Sequence, residues 1–289
     1  MAAVLFGALS GALFGALAIA VRTGIQRGAD PRVGAVVVVG VATVALAPAA
    51  IASAAVETVD PADLWPFVLA GALVPGVSQF LFMFAVRDAG PSRAAILIGT
   101  APLMSVAIAL PLLDEPFRPL LLVGTVLVVG GGAVLTLERK RPEHFRLIGA
   151  VYALSCAALF AARDNIVRWA ARDTHPPPLV AAAVSMLVAT LVVLGYLLIT
   201  RADLRGRLRP ATRAFAPAGV ALGAAYACLF VAFDHGRVSI VAPLNATQSL
   251  WAVVLSALLF GRATEMISRR LMVAGVLVVV GAAFIGAVR

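Results

Sequence analysis

Charge is scarce in this chain. Charged residues are 13% of its 289 residues and hydrophobic ones 62%, where a soluble domain has about a quarter charged and about half apolar. One buried core cannot absorb that excess, so the expected solvent for most of the surface is lipid. Cysteine is nearly absent. Cys156 and Cys228 lie inside apolar runs without CxxC or other ligand spacing, so they read as small packing residues. The three histidines, His144, His175 and His235, fall between apolar runs, and no HExxH, GxSxG or Asp-rich metal motif occurs. A membrane-embedded enzyme would need a convergent nucleophile, base or metal, and none is in view. No metal or cofactor is expected. The net charge of +9 does not point to nucleic acid. The basic residues sit in short gaps, not on a separable domain, as residues that orient helices in a bilayer do.

What is present is apolar length. Ten runs can be drawn, about 3–21, 33–56, 64–86, 94–113 and 119–137, then 147–167, 177–200, 214–233, 238–260 and 271–288. Each has roughly the length of a membrane-spanning helix. They are continuous rather than alternating in polarity, which argues against barrel strands. The first run ends in a small-residue pattern, Ala18-Ile19-Ala20, that resembles a signal cleavage site. It lacks a basic leader and is long enough to span, so it reads as a helix of the mature chain.

An internal repeat organises these runs. An offset of 146 residues carries Ala3, Gly7, Gly11 and Gly15 onto Gly149, Ala153, Ala157 and Ala161. It carries Phe14 onto Phe160, Val21-Arg22 onto Val167-Arg168, Phe80 onto Tyr226, and Asp88 onto Asp234. It also sets Gly90 on Gly236, and near the end the offset grows to 151, where Gly124 and Gly130 meet Gly275 and Gly281. Five helices per copy is odd, so the second copy must enter the membrane from the opposite face. The expected fold is an all-α integral membrane protein of ten transmembrane helices, built as two inverted five-helix repeats. The copies are 1–137 and 147–289, joined by the charged loop 138–146, which holds the only lysine, Lys140.

Orientation follows from arginine and lysine. The gaps after runs 1, 3, 5, 7 and 9 hold 17 of the 23, which predicts that side to be cytoplasmic and both termini to face outward. The gap after run 2 holds Glu57, Asp60 and Asp63 with no basic residue.

The chain resembles the ten-helix drug/metabolite transporter superfamily, specifically EamA-type permeases with two EamA repeats. The residues that carry the likeness are Leu13-Phe14-Gly15, Asp88-Ala89-Gly90, Ala101-Pro102-Leu103, Asp114-Glu115, Gly124 and Gly130-Gly131-Gly132. The second copy departs from the pattern, with Gln248 at the position of Pro102 and Gly261-Arg262 in place of the Asp-Glu pair. The resemblance implies movement of small metabolites, often amino acids, across the cell membrane by alternating access. It also implies a cavity among helices 1, 3, 4, 6, 8 and 9, with 5 and 10 peripheral. Family members usually keep their termini in the cytoplasm, whereas the charge count of this chain implies the reverse, and the count is followed here.

Gly7, Gly11 and Gly15 form a small-xxx-small ridge that reads as helix packing, or as a gate if that face slides. At 100° per residue Asn245, Gln248 and Ser249 share a face with Trp251 beside it. Amides in hydrocarbon need partners or a wet cavity, so this face is a substrate-binding candidate, against plain interhelical hydrogen bonding. The matching face in the first copy has Gly99, Pro102 and Ser105, and Pro102 can kink its helix. Gln79, Tyr152 and Tyr226 are further binding candidates, with Ser78 and Ser155 weaker. Asp164 lies about 25 Å along its run, which places it near the outer face. It is spaced i, i+4 from Arg168, as an interfacial ion pair or a charged gate would be. The first run carries no carboxylate, unlike the small multidrug exporters of the same superfamily, so a neutral or zwitterionic substrate is expected over a cationic drug. The expected function is secondary transport, with export the favoured direction. The alternatives are a membrane-embedded enzyme and a non-transporting structural membrane protein.

Overall fold

A backbone surrounded by lipid can satisfy its own polar groups by coiling, and these sequences coil. The computed structural model describes residues 1–89, 94, 97–136, 147–174, 176–200, 207–260 and 269–287, and every regular element among them is helical. The charged join at 138–146, Gly90, and the Ser249 side chain lie outside the described residues.

Helix α1 (Ala2–Gln26) is followed by α2 (Pro31–Val56). The Asp30 carboxylate accepts from the Arg32 amide at 2.9 Å, and Pro31 occupies the first turn of α2, where a missing N–H is harmless. A short turn, Pro61–Leu64, is capped in the same way by Asp60. The chain continues as α3 (Trp65–Gly71), a widened turn over Ala72–Val77, and α4 (Ser78–Ala89). Within that turn Val74 leaves helical geometry, at φ −141° and ψ 119°. Pro75 offers no N–H, and its ring disfavours a helical residue before it. The remaining helices are α5 (Ala101–Leu112), α6 (Pro119–Thr136), α7 (Leu147–Asp173), α8 (Pro178–Ile199), α9 (Leu208–His235), α10 (Val238–Asn245), α11 (Gln248–Phe260) and α12 (Arg269–Ala287).

Among the described residues, six helical stretches are long and apolar enough to cross a membrane. They are Ala2–Gln26, Arg32–Val56, Pro61–Phe82, Leu147–Asp173, Pro178–Ile199 and Leu208–His235. Shorter apolar helices lie at Ala101–Leu112, Pro119–Val134 and Val273–Ile285. Large apolar side chains such as Val44, Leu112 and Leu258 point outward, the reverse of a water-soluble surface and suited to lipid.

Three runs drawn as single helices are interrupted. The third bends at Val74-Pro75. The fourth turns at Gly99-Thr100 before α5, and the ninth turns at Ala246-Thr247 between α10 and α11. The offset of 146 carries 99–100 onto 245–246, so the fourth and ninth runs break at matching places. Each break lies within three residues of a proline, Pro102 or Pro243. The sixth run departs in the other direction: α7 continues to Asp173, past the expected end at Val167.

Small residues set the packing. The ridge of α1 lies against the break in the ninth run. A Cβ on Gly11 would come within 2.7 Å of Thr247 Oγ1 and 2.9 Å of the Leu244 carbonyl, and one on Gly15 within 2.6 Å of Trp251 Cβ. On α7 the counterparts Ala153, Ala157 and Ala161 are fully buried. Helices α6 and α12 pair backbone to backbone, where a Cβ on Gly124 would meet the Gly281 carbonyl at 2.8 Å. Between α2 and α8, Thr43 and Thr190 share a hydrogen bond of 2.9 Å. They are 147 residues apart, close to the repeat offset.

Two pairs of described gaps meet, one pair at each end of α2 and α8. Arg207 reaches Asp30 at 3.0 Å, which joins the gap after α1 to the gap after α8. Trp65 and Trp169 meet edge to face at 5.8 Å, which joins the start of α3 to the end of α7 at the other end.

Replacing Gly15 with Leu is expected to cost at least 1–3 kcal/mol by overpacking, read as a lower thermal midpoint in detergent. Gly130→Ala is the control, because a Cβ there meets nothing within 4 Å. Its midpoint should stay level or rise slightly.

Candidate functional site

The polar centre of the bundle is built on α7. At 1.5 Å per residue, Asp164 lies roughly 25 Å from the start of α7 and roughly 14 Å from its end. It is therefore in the helix interior and not at the outer face, a correction that follows from the extra turns to Asp173. Neighbouring residues on a helix point about 100° apart, so Arg163 and Asp164 can serve different neighbours. Arg163 Nε donates to Asp164 Oδ1 at 2.7 Å, with the arginine only 2% exposed and the aspartate 6%. The second Asp164 oxygen accepts from Ser105 Oγ of α5 at 3.1 Å. A terminal guanidinium nitrogen of Arg163 donates to the Tyr226 hydroxyl of α9 at 3.1 Å. The guanidinium also lies 5.6 Å from the Phe160 ring centroid and 5.5 Å from that of Tyr226, within cation–π range.

The groups around the pair lead outward to the broken runs. Tyr226 donates to the Val74 carbonyl at 3.2 Å, at the point where the third run leaves helical geometry. Asn165 donates to the carbonyls of Ser105 at 3.1 Å and Ala161 at 2.9 Å. On α1, Ser10 lies 3.1 Å from the Ala225 carbonyl and 3.0 Å from Asn245 Oδ1, and its one proton can be given to either. Asn245 is the last residue before the break of the ninth run. Side chains and backbone of both copies therefore converge on one charged pair. The pair carries no net charge when both members are ionised.

A second polar set closes one end of the bundle. The Glu115 carboxylate accepts from the Val238 amide at 2.7 Å and the Ser239 amide at 3.0 Å, capping the start of α10. Arg168 donates to the Phe233 and Asp234 carbonyls at the end of α9, at 2.7 and 2.9 Å. Arg172 donates to the Leu113 carbonyl past α5 at 2.8 Å. The pairing expected between Asp164 and Arg168 is replaced by these contacts: Asp164 takes Arg163, and Arg168 turns to helix-end carbonyls.

The other candidates divide. Tyr226 is buried at the centre, and Asn245 lies 3.0 Å from Ser10, whose hydroxyl is also within reach of the Ala225 carbonyl. Ser105, expected opposite the Asn245 face, binds Asp164 directly. Pro102 is buried in the first turn of α5. Gln79 and Tyr152 are half-buried away from the pair, with Tyr152 against Phe84 at 5.5 Å. Gln248 is exposed and opens α11. Trp251 is 39% exposed, with its Cβ backing onto Gly15. The face drawn through Asn245 and Gln248 assumed one continuous helix, and the turn at Ala246-Thr247 divides it. Sequence reasoning passed over Arg163 and Ser10. The signal for Arg163 was present: a charge inside an apolar helix is a functional candidate by default. A lone serine such as Ser10 carries no comparable signal.

Breaking a buried pair by removing one partner costs about 3–5 kcal/mol, whereas an apolar replacement of both is often near neutral. Arg163→Met is therefore expected to lower the thermal midpoint sharply. The double variant Arg163→Met/Asp164→Leu should recover most of the loss. Equal losses in single and double variants would contradict a coupled pair.

Comparison with known proteins places this geometry. A solved structure titled "Crystal structure of protein" superposes with a TM-score of 0.77 at 22% identity, covering 98% of this chain and 95% of its own. That likeness concerns the fold alone. No curated protein matches the sequence. The EamA-like transporter family profile matches residues 1–137 and again 147–287. The protein belongs to the EamA-like transporter family and is a multi-pass membrane protein of the drug/metabolite transporter type.

Proposed function

We propose that the protein is a secondary transporter that moves a small neutral or zwitterionic metabolite, such as an amino acid, across the cell membrane by alternating access, with export the favoured direction. In this reading the chain makes ten spans as two inverted repeats, 1–137 and 147–289, with interrupted helices counted as single crossings.

The observation that carries the proposal is the buried Arg163–Asp164 pair. A zwitterion can offer its carboxylate to Arg163 and its ammonium to Asp164, replacing one ion pair with two and leaving the site neutral. An anion or a cation alone would leave one member of the pair unmatched in an apolar surround, which is costly. The matching breaks in the fourth and ninth runs support the same reading. Transporter sites are often built where interrupted helices meet near the bilayer midplane. Gln248 and Trp251 on α11, with Gln79 and Tyr152, would line the path to the pair rather than the pair itself. Gly7, Gly11, Gly15 and Pro102 set how α1 and α5 approach the breaks.

Reconstitution in liposomes tests this. Saturable counterflow of a neutral or zwitterionic amino acid is expected. Asp164→Asn should weaken it by about 10–100-fold, the worth of a lost charge-assisted hydrogen bond, and Gln248→Leu should reduce flux. Flux confined to organic cations, or unaffected by Asp164→Asn, would overturn the proposal.

The basic side of the chain is proposed to be cytoplasmic, with both termini outside. A C-terminal reporter that fluoresces only in the cytoplasm should stay dark. Bright fluorescence would reverse the orientation and leave the site unchanged.

A further inference from the structure

Outside the polar centre, α1 forms the floor of a groove walled by α9 and α11. The Phe14 ring packs edge to face on Tyr226 at 5.9 Å, which marks the interior side of α1. Ala16 lies two positions on, about 200° around the helix. Ala16, Ile19, Ala20 and Thr23 continue one stripe on that far side and end at Arg27. Their small side chains leave a groove of about 250 Å³, walled by Pro217 of α9 and by Leu255 and Leu259 of α11. Leu259 is 67% exposed, as expected of a side chain facing lipid.

The groove runs into a basin. Arg27, Arg209 and Arg213 line a space of about 440 Å³ that shares Arg27 and Ala214 with the groove. Among the described residues none of the three has an ion-pair partner. The neighbouring carboxylate, Asp30, is already engaged by Arg207 at 3.0 Å and by the Arg32 amide at 2.9 Å. Three guanidinium groups around one basin present a positive field with no paired counter-charge among the described residues, and their fork geometry matches phosphate oxygens. An apolar slot that ends in such a basin at the membrane boundary has the shape and charge of a lipid.

We propose that this groove binds one anionic phospholipid of the surrounding leaflet, with its phosphate on Arg27, Arg209 and Arg213 and an acyl chain along the Ala16–Thr23 stripe. A free anion would use the basin alone. A zwitterionic lipid would fill the groove while giving the arginines no net negative charge.

Native mass spectrometry of the full chain in detergent separates these cases. The protein is titrated with phosphatidylglycerol, with phosphatidylcholine, or with inorganic phosphate. One saturable phosphatidylglycerol adduct is expected. Each arginine replaced by alanine should weaken it about fivefold. All three lie on the exposed surface, so the thermal midpoint should not move. Ala20→Phe, which fills the groove, should also abolish the adduct while the arginines remain. Equal binding of both lipids, displacement by millimolar inorganic phosphate, or an adduct indifferent to the triple arginine variant or to Ala20→Phe would overturn the assignment. The outcome does not depend on which metabolite is carried.

Discussion

A guanidinium withdrawn from water cannot stand alone, and that constraint organises the middle of this protein. Arg163 is held in place by an adjacent carboxylate, by a tyrosine hydroxyl and by two aromatic faces. The carboxylate in turn accepts from Ser105, and the tyrosine hydroxyl donates to the Val74 carbonyl. Through Ser105, Tyr226 and Val74 these contacts leave α7, so satisfying one charge ties α5, α7, α9 and the bend of the third run to one another. A buried pair of this kind is weak support for stability, since two apolar side chains would pack as well. Its retention in so apolar a chain fits a task that needs charge.

The interrupted helices are the other half of that arrangement. Each break frees backbone groups that lipid cannot satisfy, so breaks are tolerated only against protein or water. Here the freed groups are used. Val74 supplies the acceptor for Tyr226, and the Leu244 and Asn245 carbonyls lie against Gly11 of α1, where a side chain would collide. The glycine ridge and the break are therefore one feature: the turn at Ala246-Thr247 can sit so close to α1 because α1 has no side chains there. On the repeat-related helix the ridge is alanine, and Asp164 and Asn165 of that helix reach the half-helix beyond the other break.

Most of this architecture was legible in the sequence where it depended on composition. Apolar runs, their charge-bearing gaps and the glycine spacing each follow from one chemical preference applied many times, and the structure's helices follow them. The site was legible only in part, because it depends on single boundaries. Ending the sixth run at Val167 put Asp164 at the surface and made Arg168 its natural partner. The true end at Asp173 moves Asp164 inward, brings Arg163 into the core and frees Arg168 to bind helix-end carbonyls. Likewise, the 100° rule that grouped Asn245 with Gln248 holds only within an unbroken helix. Tyr226 depends on neither boundary, because a tyrosine in a long apolar run needs a partner wherever the ends fall.

Among the described residues, the contacts at the two ends of the bundle differ in kind. At one end a carboxylate sits on the amides that open α10, while two guanidinium groups sit on carbonyls that close α9 and follow α5. Each charge thus meets the helix pole of opposite sign, where it binds most strongly. At the other end the ion pair Arg207–Asp30 is largely exposed, and such pairs contribute little. Under the proposed alternating access, these caps are contacts that must part when their end opens. The caps lie near the membrane boundary, where water can take over their hydrogen bonds as that end opens. The Arg163–Asp164 pair lies deeper and has no such substitute, so in this scheme the ends move while the centre stays paired until a substrate divides it.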